Sequence, residues 1–227
     1  MNKFLKFILA LILFPITCLV VWEDLHILLR VVENFHAAVS FVLGAMVYTT
    51  IHYKFYNFSR MYVFMHETTH ALAALLCGIR VKDISVKQES GFVKMNRTNA
   101  FVVLAPYIVP GYVIVTALLY ILLDFFIDLT PYRQIVLFLV GFWMAFHFIQ
   151  TFHTLWETDQ PDLTMAGGKF FSFVVIVLAN MLVLALVLKI LFPQDVFLLE
   201  SLRRVAIQTV KDGQIIVDYI RTRIQKL

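Results

Sequence analysis

The sequence predicts an all-α polytopic membrane protein, and three observations carry that prediction. Of 227 residues, 61% are hydrophobic and only 15% charged, against roughly 45–50% and about 25% in soluble domains. Mean hydropathy is +0.83, too high for a chain that must present a solvated surface on every side. Apolar stretches of near-spanning length recur at 4–22, 35–51, 61–77, 100–126, 134–156 and 170–192, and about 20 such residues cross a bilayer as a helix. Six transmembrane segments are therefore expected. With 8 Gly, 6 Pro and 2 Cys, collagen-like, disordered and disulfide-stapled classes fall away. Cys18 and Cys77 both sit in apolar segments, so neither a disulfide nor a thiolate metal site is indicated. The net charge of +4 lies mainly in loops and tails. It reads as membrane orientation and lipid contact, not as a nucleic-acid surface.

The first segment follows Lys3 and Lys6 and imitates a signal peptide. It exits through Val21-Trp22-Glu23-Asp24, with no small-residue cleavage site, so it reads as a retained helix. The far end is basic too, with Arg203, Arg204, Lys211, Arg221, Arg223 and Lys226. An even number of spans with both ends cytoplasmic fits that bias. Residues 80–97 disagree, because simple counting places Arg80, Lys82, Lys87, Lys94 and Arg97 outside. A re-entrant segment, or a stretch held against the protein, would reconcile them. Within that stretch Val81–Val86, with Lys87 after it, partly alternates, and Phe92-Val93-Lys94-Met95 follows a turn at Glu89-Ser90-Gly91. Period-two alternation around a glycine turn predicts a small β-hairpin. After Pro193 the apolar positions Leu199, Leu202, Ala206, Val210, Ile216, Ile220 and Ile224 have helical spacing. They predict a C-terminal amphipathic helix, to lie on the membrane, bind a partner or serve as an ordinary tail. The expected organisation is 1–58 as N-terminal spans, 59–192 as a core and 193–227 as the amphipathic tail. The expected setting is a multi-pass protein of the cell membrane, contacting lipid and no nucleic acid.

The chemistry is concentrated at His66-Glu67-Thr68-Thr69-His70, inside an otherwise apolar segment. On a helix the two histidines stand one turn apart on one face, about 6 Å along the axis. Both imidazoles can then grip one Zn²⁺, while Glu67 stands beside a metal-bound water as general base. Three ionisable side chains in five membrane residues cost several kcal/mol unless paired, liganded or facing a water-filled cavity. The alternative, a polar helix-packing patch, explains that cost less well. A catalytic zinc has three protein ligands and one open position, so a third must come from elsewhere. Glu157, Asp159 and Asp162 are the candidates, beside Pro161 and ahead of Gly167-Gly168. That composition points to irregular backbone, which at membrane depth must line a cavity or lie buried in protein.

The run His66 to Val81 resembles the core helix of the site-2 protease family of intramembrane zinc metalloproteases. The hairpin that follows, the sequence Ala105-Pro106-Tyr107-Ile108-Val109-Pro110, and the Pro161-Asp162 step are also similar to that family, over residues 60–185. The resemblance implies an intramembrane zinc metalloendopeptidase acting on membrane-protein substrates, with Glu67 as base. It implies ligands His66, His70 and an aspartate after a proline: Asp162 first, Asp159 second. The family has glycine after that aspartate, whereas Leu163 stands here.

Smaller signals surround the motif. Ala73, Ala74 and Cys77 continue the histidine face and permit close helix approach. His147, Gln150, Thr151 and Thr154 form a polar stripe, with His153 beside it. Such a stripe faces a bundle interior, either to orient a substrate carbonyl or to bond neighbouring helices. Asn180 has the same two readings, and His26, His36 and His52 read as interfacial. Two rival functions remain: a membrane zinc peptidase that trims prenylated or soluble chains, and a non-catalytic scaffold or metal-binding protein with a vestigial site. A histidine-rich di-iron oxygenase fails on ligand supply, with 7 His in all.

Overall fold

The computed structural model describes residues 2–54, 58–88, 90–157 and 160–225. The described residues are 81% helical with one small antiparallel sheet. Its elements are α1 (Lys3–Glu33), α2 (Phe35–Lys54), α3 (Ser59–Leu76), β1 (Val81–Val86), β2 (Gly91–Met95), α4 (Ala100–Ile108) and α5 (Gly111–Asp124). After a 3-10 turn at Thr130–Tyr132 come α6 (Arg133–Glu157), α7 (Pro161–Ala166), α8 (Lys169–Leu191) and α9 (Leu198–Ile224).

Four helices among the described residues are long and apolar enough to cross a membrane, and five spans result if the α4–α5 pair is counted as one. Two of the expected six segments behave differently. The stretch 100–126 is not one straight span: α4 and α5 meet at 71°. Pro110, which has no amide hydrogen to donate, is the N-cap of α5 and stops the helix there. α3 falls below the hydropathy of a span because the histidines, the glutamate and the threonines of its motif dilute its apolar residues. Conversely α1 runs on past Trp22 for another three turns, burying Asp24, Ile27 and Val31.

α1 and α8 run parallel, with Ala10 against Phe171 and Val174 at one end. Ile27 and Val31 meet Leu184, Ala185 and Leu188 at the other. α2 and α6 also run parallel and touch backbone to backbone. A Cβ on Gly44 would strike the Phe138 carbonyl, and one on Gly141 the Phe41 carbonyl. Small residues at a membrane helix contact permit that approach, and Tyr48 packs edge-on against Phe142 and Phe146 beside it.

The ends of the bundle fix the direction of each helix. Lys6 Nζ donates to the Ala166 carbonyl at 2.5 Å, tying the start of α1 to α7. Asn34 Nδ2 reaches Asp195 at 3.4 Å, and Arg133 donates to the Leu191 carbonyl at 2.9 Å. With the bent pair as one crossing, the path makes five passes, so α1 and α9 begin at opposite ends. That differs from the even count expected from the basic termini. It also removes the conflict over residues 80–97. They lead into Ala100, which packs with Leu155 and Leu163 at the α6–α7 end, the end that holds Lys6.

The hairpin forms as its alternation predicts, pairing Val86 with Gly91, Ser85 with Phe92, Ile84 with Val93 and Asp83 with Lys94, with an irregularity before Val81–Met95. Val81 and Met95 pack on Ala73, Ala74, Val102 and Ala105, which seats the hairpin on α3.

Candidate metal centre

α3, α4 and α7 converge at the end of the bundle that holds Lys6. The alanines Ala73 and Ala74 are buried against Val102 and Ala105, so α3 and α4 approach closely one turn beyond His70. α7 is a six-residue helix with Pro161 in its first turn and Asp162 beside it. Proline suits a position whose amide has no helical partner, and it sets the aspartate at the mouth of the helix.

His66, His70 and Asp162 each offer a ligand atom, and the three atoms lie within 4.8 Å of one another. Asp162 Oδ2 is 3.2 Å from His70 Nε2 and 3.7 Å from His66 Nε2. Residues 92 positions apart in sequence thus share one carboxylate oxygen. Nδ1 of His70 lies 2.9 Å from the Val102 carbonyl. A carbonyl only accepts, so Nδ1 carries a proton, and Nε2 meets the carboxylate oxygen. A shared cation, a proton or a metal ion, joins two such groups, and a hydrogen bond at the other ring nitrogen is the usual orienting contact of a metal-binding histidine. His66 adds a further sign, because its buried Nδ1 has no hydrogen-bond partner among the described residues. The donor set, two imidazoles and a carboxylate, suits Zn²⁺.

Asp162 is oriented by a residue that sequence reading assigned only to a resemblance. The Tyr107 hydroxyl lies 3.1 Å from Asp162 Oδ2 and 3.2 Å from Gln160 Oε1, and Tyr107 is fully buried, with its ring edge-on to His66. Its backbone is held in turn: Asn180 Nδ2 donates to the Tyr107 carbonyl at 2.7 Å and to Ile176 at 2.8 Å, while His147 Nε2 donates to Asn180 Oδ1 at 2.9 Å. The deeper part of the α6 polar stripe bonds neighbouring helices, while Gln150, His153 and Thr154 border the cavity beside His66 and Glu67. His147 and Asn180 join α6, α8 and α4, and Gln150 donates to the Tyr48 hydroxyl at 3.3 Å, which in turn faces His52. His52, expected at an interface, is buried in that cluster. His26 and His36 are exposed.

Glu67 is buried, yet it lines a cavity of about 310 Å³ shared with His66, Gly91, Gln150, His153 and Thr154. Polar walls of that size hold water. The hairpin closes over this acid: a Cβ on Gly91 would collide with the Glu67 side chain, so glycine there leaves the carboxylate its present position. This use of Gly91, like the Tyr107 hydroxyl, had no signal beyond residue type. Asp159 lies outside the described residues, and of Glu157 only the backbone is described.

A protein-family model, Peptidase M50B-like, matches residues 38–209, which include the motif, the hairpin and Asp162. No curated protein and no solved structure matches the chain.

Proposed function

The chain belongs to the Peptidase M50B-like family, and from that premise we propose that it is a zinc-dependent intramembrane endopeptidase that cleaves transmembrane substrates. One observation carries the reading. Two histidines of α3 and an aspartate of α7 meet at one point, and Glu67, on the same helix, opens beside them onto a polar cavity.

His66, His70 and Asp162 hold the ion in this reading, within the core at 59–192. When bound, Zn²⁺ makes a water acidic enough to ionise near pH 7 and polarises the scissile carbonyl. Glu67 takes a proton at its carboxylate from the attacking water and returns it to the leaving amine nitrogen. Val102 fixes the His70 ring, and Tyr107 holds the Asp162 oxygen. The hairpin serves the substrate. A helix shields its own peptide bonds, so the segment to be cut must unwind, and a free strand edge can hold it as an added strand. The basic end with Lys3, Lys6 and residues 80–97 faces the cytoplasm in the cell membrane, where the enzyme acts in regulated intramembrane proteolysis.

The test is zinc analysis and cleavage of a transmembrane reporter by purified protein in proteoliposomes. Glu67→Gln keeps zinc and loses cleavage, and Asp162→Asn loses zinc. Full activity in Glu67→Gln overturns the enzyme reading and leaves a scaffold or metal-binding protein. Zinc loss confined to Asp159→Asn moves the third ligand. Prolines at outward-facing amides of β1 slow cleavage if the strand-addition step is right.

A further inference from the structure

Beside the cavity of Glu67 lies a second, much smaller chamber of about 10 Å³, with Tyr62, His66, Pro106, Gly111 and Tyr112 among its walls. Tyr62 and His66 border both spaces. Two polar atoms of these side chains are orphans. The Tyr62 hydroxyl and His66 Nδ1 are both buried, and neither has a hydrogen-bond partner among the described residues. They belong to residues one turn apart on α3, with ring centroids at 5.4 Å, yet they do not bond each other. A buried polar group left unpaired costs about 1–3 kcal/mol, so two in one place need a reason.

The backbone supplies the other side of the chamber with polar groups of both kinds. Helix geometry leaves the amides of Gly111 and Tyr112, at the start of α5, without intrahelical acceptors, and no side chain caps that end. The Pro106 carbonyl is freed as well, because the residue four positions on is Pro110, which has no amide hydrogen to give. None of these three groups has a backbone partner outside its own helix among the described residues. The chamber is thus bordered by donors and by acceptors. An anion would leave the Pro106 carbonyl unpaired, and a cation would face the positive end of the α5 dipole. A water molecule accepts and donates at once, needs two to four polar partners, and fits a space of this size.

We propose that one ordered water is bound in this chamber and links His66 and Tyr62 of α3 to the α4–α5 break. Nε2 is the His66 nitrogen turned towards Asp162, so Nδ1–H donates to the water, as does an α5 amide. The water donates in turn to the Tyr62 oxygen and the Pro106 carbonyl. His70 takes its orientation from α4 directly, through the Val102 carbonyl. His66 takes its orientation from the end of the same helix, through the water. Both imidazoles are then held at the nitrogen away from the metal position, which is how ligating histidines are fixed. The break at Pro110 supplies the polar groups that make this possible.

The test combines a crystal structure of the full chain, grown from a lipid mesophase at a resolution that shows ordered waters, with zinc affinity from chelator competition. One density peak should lie within about 3.2 Å of both His66 Nδ1 and the Tyr62 oxygen. No peak at that point, or a direct bond between the two side chains, overturns the proposal. Tyr62→Phe keeps the ring and removes one partner of the water. It should weaken zinc binding by about 10-fold, the lower end for an orienting contact, with helical content unchanged by circular dichroism. Unchanged affinity overturns the orienting role. The affinity measurement rests on the zinc reading and the density does not. A chain that shows the water but takes up no zinc therefore overturns the zinc reading and leaves the water site standing.

Discussion

α3 and α6 carry the same kinds of residue into the membrane and use them differently. Each has histidines and threonines at helical spacing along one face. On α6 the deeper polar groups are closed by neighbours, His147 by Asn180 and Gln150 by Tyr48, and only towards the end of the helix do Gln150, His153 and Thr154 border the cavity. Thr151 is the exception, its hydroxyl without a partner among the described residues. On α3 the groups stay open. Nε2 of His70 meets a carboxylate oxygen, His66 has a buried nitrogen without a partner among the described residues, and Glu67 faces a cavity. Polarity in a membrane helix thus marks a buried contact or a reactive centre, and satisfaction of the hydrogen bonds separates the two. Spacing alone does not.

Four substitutions break or sharpen that contrast, and they are expected to differ in size. Glu67→Gln on α3 should lower the cleavage rate by about 10²–10⁴-fold with zinc content unchanged, read in proteoliposomes beside metal analysis. Tyr107→Phe removes only the hydroxyl on Asp162 and should weaken zinc affinity by about 10–100-fold, measured by competition with a chelating dye. Asn180→Leu breaks the α6–α8–α4 join and leaves His147 and the Tyr107 carbonyl unpaired. It should destabilise the bundle by about 1–3 kcal/mol while zinc stoichiometry stays intact, as followed by thermal unfolding in detergent. A loss of zinc as large as that of Tyr107→Phe would place Asn180 with the metal centre and erase the contrast. Gln150→Leu should have the smallest effect, about 0.5–1.5 kcal/mol, with cleavage retained.

The hairpin and the motif helix were legible because each rests on a local period: alternation around Gly91, and the one-turn spacing of His66 and His70. Asp162 followed from its place after Pro161 together with the family resemblance. What local pattern hides is convergence. Nothing near Tyr107 announces that its hydroxyl meets a residue 55 positions later, and Gly91 is informative only once β2 is seen against Glu67. Hydropathy misled at both ends of its range. It joined α4 to α5 across Pro110, since valine and isoleucine flank the break. It also credited α3 as a span although the polar groups of its own motif count against crossing. The length of α1 was hidden for a related reason: Glu23 and Asp24 look like the end of a span, but Arg204 neutralises the first and the helix continues.

The tie between Lys6 and the Ala166 carbonyl has a bearing on biogenesis. It joins α1 to the short helix that brings Asp162, which is synthesised well after it, and α1 rests along α8, which emerges later still. The donor set is split in the same way, with His66 and His70 made long before Asp162. A nascent chain halted before residue 161 carries Glu67 and both histidines without Asp162 and, on the proposed zinc reading, should retain no zinc when isolated. On that reading, metal uptake reports that the membrane bundle has closed.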